Sequence, residues 1–346
     1  MENISATPVS SLKFPDGFQE IDTIVTGYKR QMILASALKM GVFDYLEKSK
    51  SASREEIVSS LPLCGMLSRS YLNALVSMNF LSVDGDKYSN TQISRDFLTK
   101  ESPYYQGDVI LGSSKSGSRW DLLSDAMQST DGMVPTSGPG PSLDHLDMLA
   151  QRVIQGEAQA LTRWIGDLPG FAERKKMLDI GGGHGLYTIG ICQLNPDMDA
   201  VILDQPHVIE LTDSYIRKYG LEKRIIAREG DIRTEVYKPE YDIILISHLL
   251  YKFRNDLDEI FRLVSNGLKD GGILVSNHYF CSPGCVPMQN AVVELERSLQ
   301  SAGHPLCHPE HFEGLFKKYG LSCIRTGTLD TAFGVSHVHA AEKMVR

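Results

Sequence analysis

The segment Leu178-Asp179-Ile180-Gly181-Gly182-Gly183-His184-Gly185 sets a cluster of glycines between one apolar stretch and the next. Glycines at such a junction let the chain turn sharply and bring its backbone against a ligand with no side chain in the way. Asp204 closes the following apolar run, Ala200-Val201-Ile202-Leu203, where a carboxylate can accept hydrogen bonds from ribose hydroxyls. Asp231, in Glu229-Gly230-Asp231-Ile232, follows a third run, where an adenine amino group would be read. Each acid alone also suits a plain local role, Asp204 in a strand-end turn and Asp231 as a helix cap. A glycine loop alone is shared by many nucleotide-binding enzymes. In register with one another, the three features predict a site for an adenosine-containing cofactor.

The elements that must position these residues alternate. Met177–Ile180, Ala200–Leu203, Arg224–Ala227, Tyr241–Ile246 and Ile273–Asn277 read as strands. Between and after them lie helical patterns at Tyr187–Leu194, Val208–Tyr219, Asp256–Leu268 and Pro309–Tyr319. That order predicts βαβ units in a mostly parallel sheet, an α/β Rossmann-like domain.

The N-terminal third differs. Apolar residues recur at helical spacing from Ile21 to Met40, and Gly41 offers a stop before a short helix at Val42–Leu46. Ser53 with Glu56 forms a capping-box start for a helix through Leu61. A helix over Ser68–Asn79 and a hairpin around Asp84-Gly85 complete a winged-helix order. Its third helix carries Arg69 as its one basic side chain, whereas helices that read DNA carry several cationic or amide groups. Dimerisation is the better use for such a unit.

The totals agree. A chain of 346 residues favours two domains. We place a helical, winged-helix-type dimerisation domain at 1–110, a glycine- and proline-rich linker with a connecting helix at 111–165, and the cofactor-binding domain at 166–346. A net charge of −8 argues against general nucleic-acid binding. Six scattered cysteines form no disulfide framework. No apolar run suits a membrane span, and the first residues lack signal-peptide character, so the expectation is a cytoplasmic protein.

With Asp179–Gly185, Leu203-Asp204-Gln205-Pro206-His207-Val208-Ile209, Gly230-Asp231-Ile232 and Lys269-Asp270-Gly271-Gly272 in view, the chain resembles the S-adenosylmethionine-dependent small-molecule O-methyltransferases. That family includes caffeate-type and bacterial natural-product enzymes. Ala35–Asp44 is similar to the family's dimerisation domain, so the resemblance spans nearly the whole chain. It implies S-adenosylmethionine as cofactor, a small-molecule acceptor and a homodimer. It further implies that Gly181 and Gly183 flank the methionine part, Asp204 the ribose, and Asp231 with Ile232 the adenine, with Asp179 also among the cofactor-binding residues. Ser247 would also face the cofactor.

The resemblance breaks at the catalytic segment. Family members that methylate a hydroxyl carry a histidine in a Leu-His-Asp-Trp stretch, whereas this chain has Leu250-Tyr251-Lys252-Phe253. Tyr251 stands at the histidine position and Phe253 at the tryptophan position, and the family's glutamate on the fifth strand is matched by Asn277. A tyrosine with a pKa of about 10 is a poor base at neutral pH, so Tyr251 is expected to position the acceptor. The segment locally resembles the bacteriochlorophyllide carbon-methylating branch. Transfer to oxygen, carbon or sulfur of an aromatic or tetrapyrrole-like acceptor, mainly by proximity, is therefore the expected activity. The alternative is a catalytically silent cofactor-binding protein.

His248, Phe253, Asn277, His278, His304 and His308 are expected to border the acceptor. The last three belong to a stretch rich in histidine and cysteine that includes Cys281, Cys285 and Cys307. Zinc wants four ligands in tight paired spacing, and this fold needs no structural metal, so no metal site is expected. Were the acceptor itself to contain a metal, His278, His304 or His308 could supply an axial ligand.

Overall fold

The computed structural model describes residues 8–115, 118, 120–128, 142–235, 237–280, 290–300, 306 and 309–345. The chain divides into two compact units, Met1–Ser114 and Lys115–Arg346.

The first unit contains α1 (Phe18–Met40), α2 (Val42–Ser49), β1 (Ala52–Ser53), α3 (Arg54–Ser60), α4 (Gly65–Ser77), β2 (Leu81–Asp84), β3 (Lys87–Asn90), α5 (Gln92–Phe97) and α6 (Gly107–Ser113). Gly41, at φ 74°, ends α1 and lets α2 begin at the next residue. The capping box forms as expected: Ser53 Oγ accepts the Glu56 N–H, and Glu56 Oε2 accepts the Ser53 N–H at 2.7 Å. The helix expected from Ser68, the one that carries Arg69, starts three residues earlier, at Gly65. β2 and β3 form the hairpin with Gly85 in the left-handed region, and β1 adds to β3. Ala37, Leu38, Val42, Phe43, Leu46, Ile57, Leu72 and Leu75 close the core of this unit.

The second unit opens with α7 (Leu123–Gln128), α8 (Leu143–Val153) and α9 (Glu157–Gly166). The expected continuous helical run to Ile165 is broken at Gly156, whose φ of 145° no helix admits. α8 and α9 bury Ala150, Leu161, Trp164 and Ile165 against the sheet. Then follow β4 (Lys176–Ile180), α10 (Leu186–Leu194), β5 (Asp199–Asp204), α11 (Pro206–Lys218), β6 (Ile225–Glu229) and β7 (Tyr241–Ser247). The unit continues through α12 (Leu257–Gly267), β8 (Leu268–His278), α13 (Ala291–Gln300), α14 (Pro309–Lys318), β9 (Leu321–Thr331) and β10 (Gly334–Lys343).

The sheet order is β6-β5-β4-β7-β8-β10-β9, parallel up to β8, with β10 antiparallel to both β8 and β9. The last two strands lie outside the sequence expectation, as does α13. β9 is an edge strand with most of its residues exposed, so it carries little of the apolar pattern that marks a strand. Helices cover both faces. α8, α9 and α10 pack on one, while Ile260, Phe261, Phe312 and Phe316 of α12 and α14 pack on the other. Chain order runs outward from β4 in one direction and from β7 in the other. The carboxyl ends of these two strands therefore flank a crevice of the kind in which α/β sheets bind ligands.

Candidate active site

Three glycines of the loop between β4 and α10 sit at positive φ: Gly181 at 70°, Gly183 at 54° and Gly185 at 73°. A Cβ at Gly182 would lie 2.6 Å from Asp179 Oδ2, and one at Gly181 would lie 2.8 Å from Leu249 Cδ2. The loop is thus closed to side chains on its inner side. The Gly181 N–H donates to the Leu203 carbonyl at 2.7 Å, fastening the loop to the end of β5. Asp204 sits at that end, half-buried, and its two carboxylate oxygens accept the N–H groups of Gly183 at 2.8 Å and Gln205 at 2.7 Å. Each oxygen keeps lone-pair capacity, so a vicinal diol can be held by an acid whose direction is already fixed. Backbone without side chains beside an anchored acid fits an adenosyl ligand.

Asp231 follows β6 and takes a bidentate pair of bonds from Arg233, at 3.1 Å from Nε and 2.7 Å from Nη2, plus the Arg233 N–H. These bonds hold its carboxyl below the ordinary range. Ile232 is buried beside it. Phe253 lies here too, with the Arg233 guanidinium 5.8 Å from its ring centroid, so it borders the Asp231 end of the crevice and not the expected acceptor end.

Where β7 and β8 end, the side chains form one network. His248 is a non-glycine residue at positive φ, 52°, a conformation histidine tolerates at a cost. Its Nε2 lies 2.7 Å from Glu157 Oε1 and its Nδ1 lies 3.0 Å from Tyr251 Oη. The same Glu157 oxygen accepts from Tyr187 Oη at 2.8 Å and Asn277 Nδ2 at 3.0 Å. Asn277 also donates to Ser247 Oγ, its register partner across β7 and β8. Burial pushes the Glu157 carboxyl upward, but its pairing with His248 and these donors outweighs that and holds the group below its usual value. Tyr251 Oη accepts the Tyr279 N–H at 2.7 Å, leaving its own proton for His248 Nδ1. That arrangement assigns the Nε2–H tautomer, which donates to Glu157.

Several expected roles change. Tyr251 is buried, which raises its pKa well above 10, and its hydroxyl is engaged by Tyr279 and His248 and does not face an acceptor. His278 is fully buried with Nε2 accepting the Leu250 N–H and Nδ1 bonded to Ser276, so it braces the Tyr251 turn and borders no pocket. Asp179 is enclosed behind the loop and accepts from Thr188 Oγ1 at 2.7 Å; burial pushes its carboxyl up to about 7. It supports the loop and is not placed to meet a ligand. Asn277 touches Glu157 where a pocket-lining role was expected. His304 and His308, with Cys281, Cys285 and Cys307, lie outside the described residues. Among the described residues no cluster could hold a metal ion, and no helix is long and apolar enough to cross a membrane.

Glu157 escaped the sequence reading. It opens a helix far from every motif, and its one local signal is the Gly156-Glu157 break.

A family model described as the O-methyltransferase domain matches residues 148–322, and one described as the O-methyltransferase dimerisation domain matches residues 23–100. The chain is 24% identical to the N,N-dimethyltransferase OxyT of Streptomyces rimosus over 328 residues, covering 90% of this chain and 92% of that protein. It is 31% identical to the bacteriochlorophyllide d C-20 methyltransferase of Chlorobaculum tepidum over 102 residues, 29% of this chain and 30% of that one. Human N-acetylserotonin methyltransferase, solved in complex with S-adenosylmethionine, shares the fold. Its TM-score is 0.75 at 20% identity, covering 96% of this chain and 99% of that one.

Proposed function

Because this chain belongs to the O-methyltransferase family and is an S-adenosylmethionine-dependent methyltransferase, we propose that it methylates a small-molecule acceptor docked beside His248. The observation that carries this reading is the pairing of half-buried His248 with buried Glu157 at 2.7 Å, beyond the end of β7. When bound, S-adenosylmethionine supplies an electrophilic methyl on a sulfonium. Asp204 would hold the ribose and Gly181 and Gly183 the methionine end, with Asp231 and Ile232 beside the adenine and Ser247 at the end of β7. The histidine that the family carries in its Leu-His-Asp-Trp stretch has here been replaced by a relay one turn away.

His248 keeps part of its side chain exposed, at 23%, while Glu157 is at 4%. For an acceptor hydroxyl to give its proton to His248 Nδ1, its O–H must take the place of the Tyr251 hydroxyl at that nitrogen, and the carboxylate of Glu157 then balances the imidazolium that results. Tyr251 positions His248: it fixes the ring plane and tautomer from below. Relatives named for O-, N- and C-methylation share this fold, so acceptors that need no base, such as amines or electron-rich carbons, require only alignment at the same place. Pairing of two chains through the first unit suits the apolar side chains exposed along α1, where Ile24 is 75% and Tyr28 64% accessible.

The test is transfer of a labelled methyl to a library of phenols, amines and thiols, with Tyr251→Phe compared against the wild type. A positioning role predicts a turnover loss within about tenfold, with every rate-controlling ionisation retained in the pH profile. A loss of a hundredfold or more at unchanged acceptor affinity would make Tyr251 itself the base. Cofactor binding with no transfer to any acceptor would favour a silent regulatory protein.

A further inference from the structure

We propose that Tyr187 acts on His248 through Glu157, as a positioning residue that fixes the carboxylate and tempers its hold on the imidazole, a role that rests on the reading of His248 as the base. Tyr187 is the second residue of α10, two places past Gly185, the last glycine of the loop. Its ring lies edge-on to His184 with centroids 5.7 Å apart, and His184 Nδ1 accepts the Leu186 N–H at 3.1 Å. The cofactor loop and its helix therefore carry the ring, while the hydroxyl reaches the acceptor side and donates to Glu157 Oε1 at 2.8 Å. Burial, and after it the charge of Glu157, pushes this phenol well above its ordinary value, so it stays protonated and donates.

One carboxylate oxygen takes three donors here. Glu157 Oε1 also accepts His248 Nε2–H at 2.7 Å and Asn277 Nδ2–H at 3.0 Å. A carboxylate offers about four lone-pair sites over its two oxygens, so about two on each. Three donors on one oxygen compete, and each is held less firmly than it would be alone. Without the phenol proton the oxygen is left to the other two, and its hold on Nε2–H tightens. A carboxylate with fewer donors favours an imidazolium over a neutral ring, so His248 would keep an added proton to higher pH. In the intact chain the Tyr187 bond thus widens the range over which His248 is neutral, the state from which a general base must start.

The other titratable groups around Glu157 leave this balance undisturbed. Tyr251, from the turn after β7, and Tyr279, beyond β8, are raised by burial as Tyr187 is, and His184 behind the Tyr187 ring is held by burial at about 4. All four are neutral at neutral pH. Arg297 and Arg152 act on Tyr279 from α13 and α8 and are the same in every variant below.

The test needs no acceptor. The full chain, isotope-labelled in its histidines and saturated with S-adenosylhomocysteine, is titrated by NMR, with His248→Gln identifying the His248 signals. The expected result is the Nε2–H tautomer in the wild type and, in Tyr187→Phe, a His248 midpoint at least about 0.3 pH unit higher, the scale on which one bond in a chain alters its neighbour. In a Glu157→Gln background the same change should move the midpoint by less than about 0.1 unit, because Tyr187 acts through the carboxylate. Tyr187→3-fluorotyrosine, a stronger donor on the same ring, should move it the other way, and this arm decides the matter if the phenylalanine variant does not fold. Melting temperature and S-adenosylhomocysteine affinity report folding, and a packing defect alone would change these without moving the midpoint. A midpoint unmoved by both ring variants, an equal shift with and without the Glu157 carboxylate, or an Nδ1–H tautomer in the wild type would overturn the proposal. Failure to methylate any hydroxyl acceptor would sink the reading of His248 as a base, while the titration would still decide whether Tyr187 acts on it through Glu157.

Discussion

The cofactor side of the second unit and its acceptor side are built from different materials. The first is mostly backbone: glycines at positive φ, peptide N–H groups and one acid whose direction those N–H groups fix. The second is almost entirely side chain, with Glu157, Tyr187 and Asn277 drawn from α9, α10 and β8, and His248 and Tyr251 from the turn after β7. A backbone site needs particular residues at consecutive positions, and its chemistry survives changes elsewhere. A side-chain network can be re-cut, and in the function proposed above the base is His248 while the cofactor loop keeps its glycines.

The comparison breaks most directly at Glu157. Glu157→Gln keeps the shape but removes the charge that balances an imidazolium, so turnover on a hydroxyl acceptor should fall about a hundredfold. Affinity for S-adenosylmethionine should stay within about twofold if the two sides are separable. Equal losses in both, measured by single-turnover kinetics and calorimetry, would show one coupled site. Next in size is Asp204→Ala, which should weaken S-adenosylmethionine by at least about 2 kcal/mol through lost charge-assisted bonds. Unchanged affinity by calorimetry would remove Asp204 from the site.

A third test, read on stability and not on turnover, sharpens the boundary between ligand contact and support. Asp179 has a folded pKa of about 7 against an ordinary 3.8. The folded chain therefore keeps a proton that the unfolded chain releases, and the associated stability is full below pH 4 and is lost as pH rises through 7. His184 and His339, which burial holds at about 4, act in the opposite direction between pH 4 and 6.5. Asp179→Asn removes only the first contribution. The stability difference should shift progressively in favour of the variant as pH rises from 4 to 7, by up to about 4 kcal/mol. A constant difference across that range would mean that Asp179 does not titrate as a buried acid.

Much of the architecture was legible because it follows from local rules. The Ser53–Glu56 cap, the Gly41 break, the Asp84-Gly85 hairpin and the first five strands of the large sheet each carry their own signal within a few residues. The alternation of apolar runs with helices fixed the parallel part of the sheet. What escaped depends on distant partners. Glu157 meets His248 across a separation of 91 residues. β9 and β10 read poorly because one is exposed and the other is rich in small and polar residues. The burial of Tyr251 and His278 follows from packing that no spacing encodes, since tyrosine and histidine occur equally well at rims.

One feature of the sheet bears on how the molecule comes into being. β10 follows β9 in the chain but lies inside it, paired to β8 on one side and β9 on the other. During synthesis β8 therefore emerges with a bare edge that its sequence successor cannot cover, and stays so until residues 334–343 leave the ribosome. A bare apolar edge is a template for pairing with other chains. The strand that carries Asn277 and His278 thus waits on the last strand of the sheet, and a nascent chain stopped short of it has the cofactor loop without a finished acceptor side.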